Sequence, residues 1–182
     1  MEITESGFDG LIIIRPKVFA DSRGYFFESF NTEAFKREGI SFAPVQDNES
    51  KSSKGVVRGL HYQLAPFAQA KLIRVVEGKI FDVGVDLRKN SSTFLKWFGI
   101  EIDSENKIQL LIPKGFAHGF SVLSDYAIIQ YKVDNVYNKE SERGIIYNDP
   151  ELGVDWKLGE TIPIISDKDR ENKLMKEAEF NF

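Results

Sequence analysis

Cysteine is absent from the chain, and histidine occurs only twice in its 182 residues. Without cysteine, disulfide scaffolds, cysteine-ligated zinc and thiol nucleophiles are all excluded. The two histidines, His61 and His118, are few for a metal-binding barrel, which usually supplies two or three imidazoles. A metal held by both rings and a carboxylate nevertheless stays open as an alternative. Chemistry that depends on histidine is confined to these two positions.

The sequence also has no long hydrophobic run and no basic tract. Its longest early apolar run, residues 11–14, is far shorter than a membrane span or a signal peptide. We therefore expect a cytoplasmic protein with no membrane partner. The formal net charge is −4, so a nucleic-acid partner is not expected either. An acidic protein that binds phosphate must gather its cations locally.

The residues that are abundant point to β-structure. There are 15 phenylalanines and 14 glycines, and Val, Ile and Tyr recur in short runs broken by turn residues. This pattern is typical of an antiparallel sandwich or barrel. We predict one mainly β domain over residues 1–182, a jelly-roll barrel with a hairpin at residues 18–30. Short helices are expected at residues 32–38, capped by Asn31, and at residues 166–178.

The stretch from residue 48 to residue 71 contains the side chains that are best suited to catalysis. A polar turn at residues 50–54 is predicted to lead into a strand, residues 56–63, that carries Arg58 and His61. Lys71 opens the next strand, and a β-hairpin would bring the three side chains together. An imidazole that titrates near neutrality, beside two cations, suits an anionic substrate that loses a proton.

The spacing of Arg58 and His61 affects which face of the strand each side chain occupies. The two residues are three apart, so a regular strand would point them to opposite faces. Gly59 lies between them and permits a β-bulge, which we predict, because a bulge would turn both side chains into one cavity. The alternative for His61 is a core histidine bonded to a backbone carbonyl.

Two further residues have competing structural explanations. Tyr131 lies on an apolar strand, where a buried tyrosine with a satisfied hydroxyl is the common case, although a buried phenol is also a competent general acid. Asp169 follows Ser166 at the spacing of a capping box, so its carboxylate has a possible role in the helix itself. The sequence leaves both choices open.

Several motifs occur in a fixed order along the chain. They are RGYFFE at residues 23–28, QDN at 46–48, GVVRGLHYQ at 55–63, KLIRVVEG at 71–78, FDVGVDLR at 81–88, IPKGFAHGF at 112–120, YK at 131–132 and NDP at 148–150. Together they resemble the dTDP-4-dehydrorhamnose 3,5-epimerases, a family of cupin-fold enzymes. The resemblance extends from about residue 10 to residue 170, and none of the positions that it marks as catalytic departs from the pattern.

The resemblance implies a substrate, a reaction and a set of roles. The substrate is a nucleotide-linked 4-keto-6-deoxy sugar, dTDP-4-keto-6-deoxyglucose, whose C3 and C5 protons flank the ketone. Inversion requires a base on one side of the ring, an acid on the other and a cation near the ketone oxygen. By resemblance, His61 is the base, Tyr131 the acid and Lys71 the enolate stabiliser, while Asp169 orients the imidazole. No metal, flavin, nicotinamide or other cofactor is implied.

The resemblance also implies the residues that bind the substrate. Arg23 and Arg58 would contact the diphosphate, and Tyr137 would stack on the thymine. The remaining positions lie around the nucleotide or at the sugar end: Glu28, Gln46, Asn48, His118, Glu142 and Lys168. A homodimer is implied as well, in which the hairpin at residues 18–30 leans across the two-fold axis, so that Arg23 and Glu28 serve the partner's site.

Three other functions remain open from the sequence. An epimerase that acts at C3 alone, on a related nucleotide 4-keto-deoxysugar, would need the same base. A sugar-nucleotide binding module would keep the pocket without turnover. A metal-dependent oxygenase or isomerase on the same barrel would use the two histidines as ligands.

Overall fold

Short β-strands make up most of the structure, a computed structural model that describes all residues 1–182. Two short α-helices and a 3-10 helix, Met175–Glu177, accompany them. The strands are β1 Glu2–Glu5, β2 Ile12–Arg15, β3 Phe19–Asp21, β4 Gly24–Phe26, β5 Gln46–Ser53, β6 Val57–Gln63, β7 Lys71–Glu77, β8 Lys79–Asp86, β9 Trp97–Asp103, β10 Gln109–Ile112, β11 Phe116–Val122, β12 Tyr126–Val133 and β13 Glu142–Gly144; the α-helices are α1 Thr32–Arg37 and α2 Asp167–Arg170. No helix has the length and hydrophobicity that crossing a membrane requires.

Two antiparallel sheets form the body of the fold. One has six strands in the order β1-β2-β10-β7-β12-β5, and the other has five in the order β13-β6-β11-β8-β9. From β5 to β13, consecutive strands alternate between the sheets except for β8 and β9, which are neighbours in the five-stranded sheet, and this topology is typical of a jelly roll. The predicted cupin-type jelly-roll barrel is therefore confirmed. The β3–β4 hairpin pairs only with itself.

Apolar side chains fill the space between the two sheets. Both sheets contribute to this interior, which includes Ile73, Val75, Ile80, Phe120 and Ile129. Because the side chains of a strand alternate between its two faces, each sheet also has an outer apolar face that must be covered.

Different segments cover the two outer faces. On the six-stranded sheet, Phe35 of α1 and Phe42 pack against Leu72 and Leu111. On the five-stranded sheet, the chain from residue 145 to the C-terminus packs its apolar side chains on β6 and β8. This second contact matters for the site, because it brings the C-terminal part of the chain, including α2, against β6.

The predicted polar turn at residues 50–54 is wrong in position. Ser50 to Ser53 continue β5, which pairs with β12 through registers such as Ser50 with Ile129, and the turn begins at Lys54. β5 is the edge strand of its sheet, and edge strands tolerate polar and charged side chains that a central strand does not. The polar composition of residues 50–53 therefore indicated a turn where the structure has a strand.

One of the two predicted helices is confirmed, and the other is shorter than predicted. The helix after Asn31 is confirmed as α1, and the Asn31 Oδ1 atom accepts hydrogen bonds from the N–H groups of Glu33 and Ala34. The predicted helix at residues 166–178 is wrong in extent, since α2 ends at Arg170. The backbone of Lys173 instead accepts a 2.9 Å hydrogen bond from the N–H of Ile146. A tertiary contact thus replaces the next helical turn.

Candidate active site

A β-bulge at Gly59 shapes the floor of the site. In the pairing of β6 with β11, His61 lies opposite His118 and Arg58 lies opposite Phe120, so that β6 has one extra residue between the two pairs. Gly59 has a φ of +126°, and a Cβ atom there would lie 2.6 Å from the Cα of Gly119. The predicted bulge is confirmed, and both Arg58 and His61 line one cavity.

The cavity lies between the two sheets and has a volume of about 460 Å³. His61 enters it from the five-stranded sheet, whereas Lys71 and Tyr131 enter it from the six-stranded sheet. A second recess of about 300 Å³ shares these three residues. Its other walls are Gln46, Asn48, Tyr62, Gln63, Gln69, Tyr137 and Glu142. The three residues therefore lie between the larger chamber, whose walls combine apolar side chains with charged ones such as Arg58 and Lys168, and the polar recess.

The predicted hairpin that would join His61 to Lys71 is wrong. β6 and β7 belong to different sheets, and residues 64–70 carry the chain from one sheet to the other. The two side chains meet because the sheets face each other across the barrel.

His61 is held by a buried carboxylate from a distant part of the chain. Its Nε2 lies 2.7 Å from Oδ1 of Asp169, and Oδ2 of Asp169 accepts a 3.3 Å hydrogen bond from the Gly59 N–H. Burial favours the neutral acid, but the hydrogen bonds from His61 and Gly59 outweigh it and hold the pKa of Asp169 below its usual range. The carboxylate accepts a hydrogen bond from the Nε2–H group, so the lone pair of the imidazole lies on Nδ1.

Asp169 also belongs to the cap of α2, as the capping-box spacing indicated. Its backbone N–H donates to Oγ of Ser166 at 3.1 Å. The carboxylate is directed to His61 and Gly59, however, rather than back to the helix end. The cap therefore fixes the backbone of Asp169, and the side chain is left to orient the imidazole.

The environment of Lys71 disfavours its protonated, charged form. Its Nζ donates a 3.5 Å hydrogen bond to the backbone oxygen of His61. Burial lowers the pKa of Lys71 to about 8, although the negative charges of Asp82 and Glu142 oppose the shift. An ammonium group that is poorly solvated before a ligand arrives can interact strongly with a negative charge that develops on the ligand.

Tyr131 faces the same cavity without a protein partner for its hydroxyl. Burial raises the pKa of the phenol, and the positive charge of Arg58 opposes that rise. The Arg58 guanidinium is fixed by Oγ of Ser52, at 2.9 Å, and by the backbone oxygen of Lys51, at 3.4 Å. Because its hydroxyl is not used within the core, Tyr131 does not have the structural role of a satisfied buried tyrosine.

Three predicted substrate-binding residues form one cluster at the rim. Glu142 accepts hydrogen bonds from Nζ of Lys168, at 2.7 Å, and from the hydroxyl of Tyr137, at 2.9 Å. Burial alone would raise the pKa of Glu142, but these two partners hold it below its usual range. The backbone N–H of Tyr137 donates to Oε1 of Gln46, whose Nε2 donates to Oδ1 of Asn48. The polar recess is thus a connected network.

Arg23 and Glu28 lie outside both chambers. Arg23 forms a 2.7 Å ion pair with Asp21 at the tip of the β3–β4 hairpin, and Glu28 accepts a hydrogen bond from the side chain of Asn31. Within one chain these two residues do not join the other predicted site residues. Arg58 differs from the predicted nucleotide contacts too, since it lines the larger chamber and not the recess of Gln46 and Asn48.

Sequence reasoning missed two polar residues of the site. Asp82 is fully buried, and its Oδ1 lies 2.7 Å from Nε2 of His118. An acidic residue inside the apolar strand β8 was the signal available in the sequence. Ser50 lines the cavity, and its buried Oγ has no hydrogen-bond partner. Because residues 50–54 were predicted to form a turn, Ser50 was not expected to line the cavity.

The arrangement defines a class of chemistry. A carboxylate-bound imidazole faces a phenol across a chamber, and an ammonium group lies beside them, which are the parts needed to remove and return a proton next to a carbonyl group. No group of three or more His, Asp or Glu side chains is placed to bind a metal ion. The fold and the site together are those of a jelly-roll isomerase.

Comparison with known proteins identifies the family. The family model for dTDP-4-dehydrorhamnose 3,5-epimerase matches residues 5–177. The dTDP-4-dehydrorhamnose 3,5-epimerase of Shigella flexneri is 49% identical over 181 residues, which cover 99% of each chain. The chain belongs to the dTDP-4-dehydrorhamnose 3,5-epimerase family.

Solved structures agree with this result. The crystal structure of dTDP-4-dehydrorhamnose 3,5-epimerase from Elizabethkingia anophelis is 49% identical and superposes with a TM-score of 0.92, covering 97% of both chains. The dTDP-6-deoxy-D-glucose-3,5-epimerase of Legionella pneumophila, solved in complex with dTDP-4-keto-L-rhamnose, is 48% identical with a TM-score of 0.91, covering 96% of this chain and 93% of the other. The predicted family and enzyme class are confirmed.

Proposed function

We propose that this protein converts dTDP-4-dehydro-6-deoxy-D-glucose to dTDP-4-dehydro-L-rhamnose by inverting C3 and C5. The observation that carries this proposal is the position of His61 and Tyr131 on facing sheets, with Lys71 beside them in the same cavity. A proton removed on one face of the sugar ring can therefore be replaced on the other. Inversion requires this two-sided geometry.

Each reacting group has a distinct task. Nδ1 of His61 takes the proton from the carbon next to the ketone, and the positive charge that forms on the imidazole is stabilised by Asp169. The ammonium of Lys71 stabilises the enolate oxygen, and the hydroxyl of Tyr131 delivers a proton from the opposite side. No redox change occurs, so the reaction needs no electron acceptor. We propose that it proceeds without a metal or other cofactor.

We propose that the nucleotide occupies the polar recess. Tyr137 has a half-exposed ring suited to stacking on the base, and Gln46 and Asn48 offer amide groups nearby. The sugar then occupies the larger chamber that contains His118. In this arrangement Lys71, which borders both chambers, reaches the ketone oxygen at C4, and Lys168 and Glu142 close the rim. Arg58 lies at the sugar end, and its contact with the diphosphate stays a prediction.

Solvent-exchange measurements test the reaction directly. Purified protein is incubated with the 4-keto sugar nucleotide in deuterium oxide and followed by proton NMR. Deuterium is expected at both C3 and C5, and the downstream reductase should then form the rhamnose nucleotide. Label at C3 alone would identify a C3 epimerase instead. Activity that is lost after exhaustive chelation and restored by a metal would contradict the metal-independent mechanism.

The His61→Ala variant distinguishes an enzyme from a binding module. Loss of the general base should lower the rate by roughly a thousandfold, while dTDP binding, measured by calorimetry, stays close to that of the wild type. Full deuterium exchange by this variant would contradict the mechanism.

We also propose a cytoplasmic homodimer in which the hairpin residues Arg23 and Glu28 complete the partner's site. The hairpin exposes Phe19, Tyr25 and Phe26, each more than half accessible, and such a patch is typical of an interface. Mixing an Arg23→Ala chain with a His61→Ala chain tests this arrangement. Heterodimers would contain one intact site, and about a quarter of wild-type activity should return. If Arg23 serves its own chain, mixing restores nothing.

A further inference from the structure

His118 has an environment that repeats that of His61. The two residues lie opposite each other on adjacent strands, β11 and β6. The Nε2 of His118 lies 2.7 Å from Oδ1 of Asp82, the same distance that separates His61 from Asp169. The chain contains only these two histidines. Each ring in the cavity is therefore tied to a carboxylate through the same nitrogen.

Asp82 is set more deeply than Asp169 and has fewer partners. Its side chain is inaccessible to solvent, and its Oδ2 has no hydrogen-bond partner. A buried carboxylate oxygen with no partner is costly unless a nearby positive charge offsets it. Lys71, which enters from the opposite sheet, provides that charge without forming a direct ion pair, and Asp82 in turn favours its protonated form. Asp82 thus contacts one site residue and acts on another through its charge.

Burial of His118 favours a neutral ring. Burial is the main cause of its lowered pKa, and the neighbouring Lys71 and His61 add to the effect, whereas Asp82 opposes it. Glu142 is the other charged group that acts on Lys71. In a neutral imidazole whose Nε2–H is donated to Asp82, Nδ1 carries a lone pair. This Nδ1 has no partner within the protein, and the residue lines the cavity.

We propose that Asp82 is a positioning residue that holds His118 in the Nε2–H tautomer, so that Nδ1 accepts a hydrogen bond from a hydroxyl group of the sugar. Lys71 is then the donor to the ketone oxygen, and its charge is maintained by Asp82. This assignment rests on the function proposed above. It divides the cavity into an acceptor for the hydroxyl, a donor for the ketone and a separate base, His61.

Nitrogen-15 NMR of the full-length protein tests the tautomer without any substrate. Selective labelling of histidine gives signals from two rings only, and the His118→Gln variant assigns them. At pH 7.5 the His118 ring is expected to be neutral, with its proton on Nε2. A proton on Nδ1, or an imidazolium signal, would overturn the proposal, and this measurement on the wild type does not depend on whether any Asp82 variant folds.

The Asp82→Asn variant then tests the role of the carboxylate, with Asp169→Asn as the matched control. Asp82→Asn should shift the ring signals of His118 and leave those of His61 nearly unchanged, and Asp169→Asn should do the reverse. Loss of the Asp82 charge should also move the alkaline limb of the kcat/KM profile by about one pH unit toward acid, since Lys71 loses its proton more easily. A variant with only a lower Tm, and with both readouts unchanged, would show that Asp82 is merely structural.

The outcomes separate this inference from the proposed function. If the protein fails to turn over the 4-keto sugar nucleotide but His118 has the expected tautomer and responds to Asp82→Asn, the function is wrong and the positioning role stands. If turnover occurs and the ring of His118 does not respond, the positioning role is wrong and the function stands.

Discussion

His61 and Asp169 are separated by 108 residues in the chain, and their side chains lie 2.7 Å apart in the cavity. The pairing depends on packing of the C-terminal segment against the outer face of the five-stranded sheet, which places α2 beside the bulged strand β6. The extra residue at Gly59 serves both partners, because it turns His61 inward and offers its own N–H to the carboxylate. The bulge and the packing of the C-terminal segment therefore together bring the His61 imidazole and the Asp169 carboxylate into contact.

The first prediction concerns this pair. Asp169→Asn should lower kcat by about a hundredfold or more, because the amide does not stabilise the imidazolium and can favour the wrong tautomer. Asp167→Asn, on the same helix with a fully exposed side chain, is the control and should retain wild-type activity. Initial rates in an assay coupled to the downstream reductase measure both. Equal activities of the two variants would show that His61 needs no orienting carboxylate.

The second prediction concerns the acid. Tyr131→Phe should still exchange the sugar protons with solvent, since abstraction depends on His61, but inversion should be slow and incomplete. Deuterium should therefore appear at carbons of retained configuration. Tyr126→Phe is the matched control on the same strand, because its hydroxyl is bound to Glu77 outside the cavity. If Tyr131→Phe inverts both centres at the wild-type rate, the acid is another group.

The third prediction concerns the pH dependence of Lys71. Its pKa of about 8 predicts that kcat/KM falls as the pH rises through about 8, because kcat/KM reports ionisation in the free enzyme. Lys71→Met should abolish this limb together with most of the activity. A profile that stays flat from pH 7 to pH 10 would show that the charge of Lys71 is not required.

The lowered pKa of Lys71 also gives the fourth prediction, which concerns the stability of the fold. Between about pH 8 and the ordinary lysine pKa of 10.5, the unfolded chain holds a proton on Lys71 that the folded chain has released. The contribution of Lys71 to the free energy of unfolding therefore rises with pH across this interval, and the charged group is unfavourable below it. Lys71→Met should raise that free energy at pH 7 by on the order of 2 kcal/mol. Lys54→Met, at an exposed position, should leave it unchanged, as urea titrations can show.

The fifth prediction concerns the bulge. Gly59→Ala should destabilise the fold by on the order of 3 kcal/mol, because the new Cβ adds a backbone clash to an unfavourable φ. Gly24 has nearly the same φ, +128°, with open space around it, so Gly24→Ala measures the conformational term alone and should cost about 1 kcal/mol. Equal losses of Tm in the two variants would show that the contact with Gly119 is unimportant.

Much of the site was predictable from the sequence because its chemistry is local. The imidazole of His61 beside two cations indicated proton transfer, the family resemblance implied the role of Tyr131, and the glycine between Arg58 and His61 indicated a bulge that the structure contains. The polar edge strand at residues 50–53 and the early end of α2 were missed. In both places hydrogen bonds to a distant strand or segment determine the conformation, and no local pattern reports them.

By itself, the sequence determined the family and the jelly-roll class, since these follow from residue types and their order along the chain. The roles of His61, Lys71 and Tyr131 came from the sequence only as implications of the family resemblance. Only the tertiary structure decided that His61 and Lys71 come from facing sheets rather than one hairpin, and that Asp82 lies beneath His118. The physical reason is that strand pairing and sheet packing join residues far apart in the chain, and the distances, burial and charges that define the site exist only after those contacts form.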